Sequence, residues 1–245
     1  MKKTGVFILF CFISQFGFSQ TFEAVYSKLL NVEGPANIME ETYKDQRPNI
    51  KEEFILLSNP NESYKLTFCN GVSTFLLIPN NTPIDREINF GNVNIRVTKA
   101  QKKPTYLIKK FEDNLYFENA DIFGREYTII DSLGFGQWKI TKEEKIIGEF
   151  KCFKAINKLT DYQVEAWFTS EIPIPDGPWF YSGLPGLIVE LKTDKMYFKL
   201  EKFKYVNEKI EFESRPTGKS ITRKEFERIE HDKAYQLKKM MEEGT

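Results

Sequence analysis

Residues 166–191 read AWFTSEIPIPDGPWFYSGLPGLIVEL, and no other stretch of the chain is so constrained. Four prolines and three glycines stand among aromatic residues, between two runs with the composition of strands. Pro173 and Pro175 push Ile172 and Ile174 into extended backbone, which excludes a helix. Asp176-Gly177-Pro178 then reverses the chain. Leu184-Pro185-Gly186-Leu187 fits a type II turn, because proline presets the second position and glycine accepts positive φ at the third. The run Leu187–Leu191 is apolar apart from Glu190, as a largely buried strand would be. The pattern predicts strands over about 161–169 and 186–193, joined by a proline-fixed connection of roughly 16 residues, a length that is uncommon and often functional. Two readings stay open. The connection plugs one end of a β core with Trp179, Phe180 and Tyr181, or it presents those rings, with Leu184, Pro185 and Leu187, to a ligand.

Outward from this stretch, turn signals recur every 8–15 residues without intervening helical periodicity. Phe22, Ala24 and Tyr26 alternate with Glu23, Val25 and Ser27, a period-2 pattern. Asn70-Gly71 is a strong hairpin signal joining strands Ser63–Cys69 and Val72–Ile78. Further strands are expected at Lys51–Leu57, Asn94–Thr98, Thr105–Phe111, Arg125–Asp131, Trp138–Lys142, within Lys145–Leu159, and over 196–206. Residues 79–92, rich in Asn and Pro, read as a loop. The exception to β is the C-terminus. Thr222 and Glu225 form a capping box, and Phe226, Ile229, Leu237 and Met240 share a face of a helix spanning 222–243. The fold class is therefore mainly β, an antiparallel sheet forming a sandwich or an open half-barrel, with a C-terminal α-helix. At fold level this looks like the open half-barrels of periplasmic lipoprotein carriers, a likeness that does not carry function.

The N-terminus has the parts of a secretory signal peptide: Lys2 and Lys3, an apolar run from Val6 to about Phe18, and small residues at Gly17 and Ser19. Residues 1–19 are expected to be removed, leaving 20–245 as a single β-rich domain that is exported to the periplasm, cell envelope or medium. Loss of Lys2 and Lys3 from 35 basic residues leaves 33 against 35 acids, a balance with no electrostatic case for nucleic acid. Cys11 leaves with the signal, and the remaining Cys69 and Cys152 are candidates for a disulfide in an oxidising compartment. One histidine, His231, in a charged helical stretch, gives neither a nucleophile–base arrangement nor a zinc site. Arg215–Ser220 ends in GKS, but the glycine a phosphate loop requires is replaced by Glu213. No metal, cofactor or integral membrane span is expected. Paired carboxylates (Glu165, Glu171, Asp176, Glu190) are the remaining catalytic equipment.

The core Gly183–Ile188, together with Trp167, Glu171, Pro173, Gly177 and Pro178, resembles the signature of the GLPGLI family. These are secreted proteins, known chiefly from Bacteroidetes, with no established biochemical role. Trp138, Cys152-Phe153-Lys154-Ala155 and Ala166-Trp167 extend the resemblance over about 130–200. In that signature Gly183, Gly186 and Ile188 are structural positions. The expectation is a non-catalytic binding module for a hydrophobic ligand, lipid, peptide or partner protein. The alternatives are a carboxylate-dependent periplasmic hydrolase and a structural or assembly factor acting through its C-terminal helix.

Overall fold

The computed structural model describes residues 21–31, 62–79, 85–90, 93–98, 106–122, 124–134, 137–157, 164–207 and 218–243, with isolated positions between 36 and 55. The expected signal peptide lies outside them. The first strands are β1 (Thr21–Leu30), β2 (Glu62–Cys69), β3 (Val72–Ile78), β4 (Asp85–Phe90), β5 (Val93–Thr98), β6 (Tyr106–Lys110) and β7 (Leu115–Ile122). Then come β8 (Arg125–Ser132), β9 (Trp138–Ile147), β10 (Phe150–Asn157), β11 (Val164–Thr169), β12 (Leu187–Lys192), β13 (Met196–Val206) and β14 (Lys219–Ile221). Helix α1 (Arg223–Glu243) follows directly.

Twelve strands form one sheet in the order β14-β8-β7-β6-β3-β2-β1-β13-β12-β11-β10-β9. Every pairing is antiparallel except β14 with β8. The sheet is open, with β14 and β9 as its edges. β4 and β5 pair separately as a two-stranded hairpin.

The alternation in β1 sets the inner face. Phe22, Ala24 and Tyr26 are buried while their neighbours are half-exposed. Across the pairing, Phe22 meets Phe68, Ala24 meets Leu66 and Tyr26 meets Tyr64. Their rings form the core: Phe22 stacks on Phe68 at 5.4 Å, and Tyr64 on Phe75 at 4.9 Å, with Phe198 edge-on to both Tyr64 and Phe75 at 5.8 Å. Phe150 of β10 reaches Phe203 of β13 at 6.4 Å although β11 and β12 lie between their strands. The sheet must curl tightly to allow this contact, and bulges in β1/β13, β9/β10 and β11/β12 supply the bending. The open, curled sheet with its terminal helix is the architecture expected from the strand spacing.

At Asn70 and Gly71 both φ values are positive, 49° and 74°, the left-handed pair that a type I′ hairpin turn demands. Glu225 N donates to Thr222 Oγ1 at 3.2 Å, so the helix cap forms as predicted. Other expectations need correction. Lys51 and Ile55, placed in a strand by the sequence, are helical. Residues 85–90 are a strand, not part of a loop. β7 was not anticipated because Leu115–Ile122 reads LYFENADI, and its polar Glu118 points inward where alternation calls for an apolar residue. The disulfide does not form either. Cys69 and Cys152 are both buried free thiols. Both point away from the inner face, on β2 and β10, which stand five positions apart in the sheet. At about 4.8 Å per strand, that is far beyond the roughly 5.5–6 Å Cα separation of a disulfide. Burial, and then the Glu190 carboxylate, push the Cys152 thiol up to about 11.

Candidate functional site

Residues 170–186 leave β11, cross the inner face and return to β12. The prolines keep this chain extended, and its backbone folds along the start of β12. Leu187 N donates to Ile172 O at 3.0 Å and Ile188 N to Asp176 O at 2.9 Å, while Gly183 N closes onto Pro175 O at 2.9 Å. Two glycines permit the close approach. A Cβ at Gly177 would stand 2.7 Å from the Ile188 side chain, and one at Gly186 would stand 2.0 Å from Thr169 O. The turn at Pro185 is tighter than the expected type II turn. Gly186 N donates to Leu184 O at 2.8 Å, a three-residue turn, because Leu187 N is already committed to Ile172 O.

Across the concavity, β6 and β7 hold the connection at two points. Lys109 of β6 pairs with Asp176, both side chains 0% exposed. Its ammonium also donates to Gly177 O at 2.6 Å. Burial lowers the Lys109 pKa, and Asp176 opposes the shift. The second point is Arg223, the first residue of α1. Its guanidinium pairs with Glu118 of β7 and donates to Tyr116 Oη at 3.1 Å, while Arg223 N donates to Asp131 Oδ2 at 3.1 Å. Aromatic rings surround it, with Phe180 and Trp179 centred 5.1 and 5.2 Å from the guanidinium carbon and Phe226 and Tyr116 at 5.7 and 5.8 Å. Burial pushes the Glu118 carboxyl up, while Arg223 opposes it. Trp179 itself has φ 55°, a left-handed conformation that is strained for a bulky residue. The Arg223 guanidinium, 5.2 Å from its ring centre, and the neighbouring Phe180 and Tyr181 rings hold it there.

Phe180 stacks on Tyr116 at 5.2 Å and on Tyr181 at 4.6 Å. Burial pushes the Tyr116 phenol up to about 12, with Arg223 opposing. Beside this stack opens a cleft of about 510 Å3, lined by Tyr116, Asp131, Leu133, Gln137, Trp138, Asn157, Phe180, Tyr181, Ser182 and the first turn of α1. Trp138 Nε1 donates to Ser182 O at 2.8 Å, which ties β9 to the connection. Asn157 and Ser182 are each 2% exposed, and Asn157 Oδ1 and Ser182 Oγ have no hydrogen-bond partner among the described residues.

The expected binding residues therefore divide. Tyr181, Leu184 and Leu187 are in the core, Pro185 is exposed, and Trp179 and Phe180 are half-buried at the rim. Of these, Phe180 and Tyr181 line the cleft. Gly177, Pro178, Gly186 and Ile188 are buried beneath the connection, Gly183 is half-buried and Pro173 exposed. Glu171, exposed, accepts Lys151 N at 2.8 Å. Trp167 faces away from the site, with the Lys145 ammonium 4.3 Å from its ring centre and its Nε1 donating to Glu165 at 3.1 Å. Sequence reasoning missed Lys109, Glu118, Asn157, Ser182 and Arg223. Lys109 and Glu118 had one available signal, a charge at an inward position of a strand.

Residues 156–190 match a family model described as a protein of unknown function (Porph_ging), a span that includes the whole connection. No curated protein matches the chain. Two solved structures of PNGF-II, in space groups P21 and C2, align with TM-scores of 0.49 at 15% and 12% identity. They cover 83% and 85% of this chain, which spans about a third (32%) of their length. A likeness at that level is too weak to argue from. No helix among the described residues is long and apolar enough to cross a membrane.

Proposed function

We propose that the chain is an exported, non-catalytic binding module, related to the GLPGLI family, and that the cleft beside Phe180 is its ligand site. The observation that carries this reading is the wall of the cleft. The Tyr116–Phe180–Tyr181 stack lies against an ion pair and a strained Trp179, so it is held in place before any ligand arrives. The volume of about 510 Å3 falls in the range of small-molecule sites, roughly 300–1,000 Å3.

The hydrolase alternative finds less support. Glu165 and Glu190 face away with Lys154 and Lys145, Glu171 is exposed, and Asp176 is sealed against Lys109. None of the four lines the cleft. The carboxylate of Asp131, which does line it, accepts Ser132 N with Oδ1 at 2.8 Å and Arg223 N with Oδ2 at 3.1 Å. The reading is tested by native mass spectrometry of the protein drawn gently from its own cells, beside its Phe180→Ala variant. Wild type should carry an added mass that organic solvent strips and that the variant lacks, with equal circular dichroism. A bare wild-type mass would sink the proposal.

A further inference from the structure

As an ion pair, the buried tie between Lys109 and Asp176 leaves polar groups unmet. Both side chains are 0% exposed. The ammonium has three N–H donors and meets two acceptors among the described residues, Asp176 Oδ1 and, at 2.6 Å, Gly177 O. Asp176 Oδ1 accepts a second bond, from Gly177 N at 2.7 Å. Asp176 Oδ2 has no partner among the described residues. Two opposite charges are thus sealed from water with one donor and one acceptor left over, and each such group is costly.

One change of bonding removes the charges and the leftovers together. An amide joining Lys109 Nζ to Asp176 Cγ has one N–H and one oxygen. The N–H keeps the bond to Gly177 O, Oδ1 keeps the bond from Gly177 N, and Oδ2 is gone. The nitrogen already touches Oδ1, one bond away from Cγ. We propose that Lys109 and Asp176 condense into an isopeptide bond, a cross-link from β6 to the connection between residues 67 apart in the chain. Neither residue lines the cleft, so the bond is independent of the ligand reading above.

The step needs no oxidant and no cofactor. Transfer of one ammonium proton to the carboxylate gives a neutral amine and a neutral carboxyl, which a site closed to water favours over two ions. Burial acts on Lys109 in that direction, although Asp176 opposes it. The amine lone pair attacks Cγ. Negative charge collects on Oδ1, which the Gly177 N–H already holds. The Cγ–Oδ2 bond then breaks, and Oδ2 leaves as water with its own proton and one from the nitrogen. Nothing is oxidised or reduced. Condensation follows folding, because only the fold brings the two side chains together. The newly folded chain holds the ion pair, and unfolding measured on it reads that pair alone.

The test is peptide mass mapping of the protein drawn from its own cells, kept folded for several days and digested after denaturation. One branched peptide should carry both residues, lighter than its two arms by one water, with fragmentation placing the link at Lys109 and Asp176. Lys109→Arg keeps the charge but offers no nucleophilic amine, and should yield two linear peptides of full mass. The wild-type map decides the matter even where that variant does not fold. Linear wild-type peptides of full mass overturn the cross-link. A water lost within the Asp176-Gly177 peptide alone, and opened by hydroxylamine, is a cyclic imide and overturns it too. A branched peptide that persists in Lys109→Arg overturns the assignment to Lys109.

Discussion

At Asp176 the connection is held by a lysine from within the sheet, and at Trp179 by an arginine that enters from helix α1. Both ties join a carboxylate to a cation across the concavity. They differ in surroundings. Lys109 and Asp176 are 0% exposed, whereas Arg223 and Glu118 keep 15% and 8% of their side-chain surface. Neither member of the first pair lines the cleft, whereas Arg223 of the second does. A sealed charge pair contributes little net stability but is costly to halve, because the remaining ion has no water to turn to. A pair beside an open cleft is less costly to halve. The difference separates what fixes the connection from what shapes the site.

The largest effect should come from Lys109→Met, which strands Asp176 in the core. Urea unfolding should show a loss of about 3–5 kcal/mol, with most of it restored in the double variant Lys109→Met/Asp176→Leu. A loss below about 1 kcal/mol would mean that water reaches Asp176 and that the two ties are alike. Arg223→Ala should cost less, roughly 1.5–3 kcal/mol, since Glu118 keeps part of its surface and solvent is at hand. It should also open Trp179 to acrylamide quenching, which Lys109→Met at the same folded fraction should do less. Matching quenching in the two variants would erase the distinction.

The smallest effect sharpens the comparison through pH. The Tyr116 phenol is raised by burial to about 12 from an ordinary 10, so the folded chain holds this proton after the unfolded chain has released it. The stabilisation is complete below pH 10 and is lost as pH rises from 10 towards 12. The expected slope from this group is about 1 kcal/mol per pH unit. Tyr116→Phe should flatten the alkaline limb of the stability curve by that amount. An unchanged limb would show that the ring beside Arg223 is already wet.

Much of the fold was legible because it rests on local rules. The alternation of Phe22, Ala24 and Tyr26, the Asn70-Gly71 turn and the Thr222 cap each state their geometry within a few residues. The proline spacing from Ile172 to Pro178 was legible for the same reason, and the loop it fixes buries some of its rings and leaves others half-exposed. Tyr181 faces the core and Phe180 the rim. The site was harder to read because its defining residues break local rules in favour of distant partners. Lys109 and Glu118 occupy inward strand positions that pattern reading assigns to apolar side chains. Arg223, at the start of an otherwise ordinary amphipathic helix, reads as surface. Asn157 carries no signal in its own neighbourhood, since only the fold sets it beside Ser182.

Those distant partners also constrain the order in which the chain can fold. Lys109 and Asp176 are 67 residues apart, Glu118 and Arg223 are 105, and the Tyr26 hydroxyl reaches Ile188 O across 162. None of these bonds can form until the strands that carry their partners have already come together, so each waits on the closure of a long loop. Topologies dominated by such separations cross their folding barrier slowly. The ties on the connection therefore form only when the strands that carry their partners have come together, and the cleft they border exists only from that point.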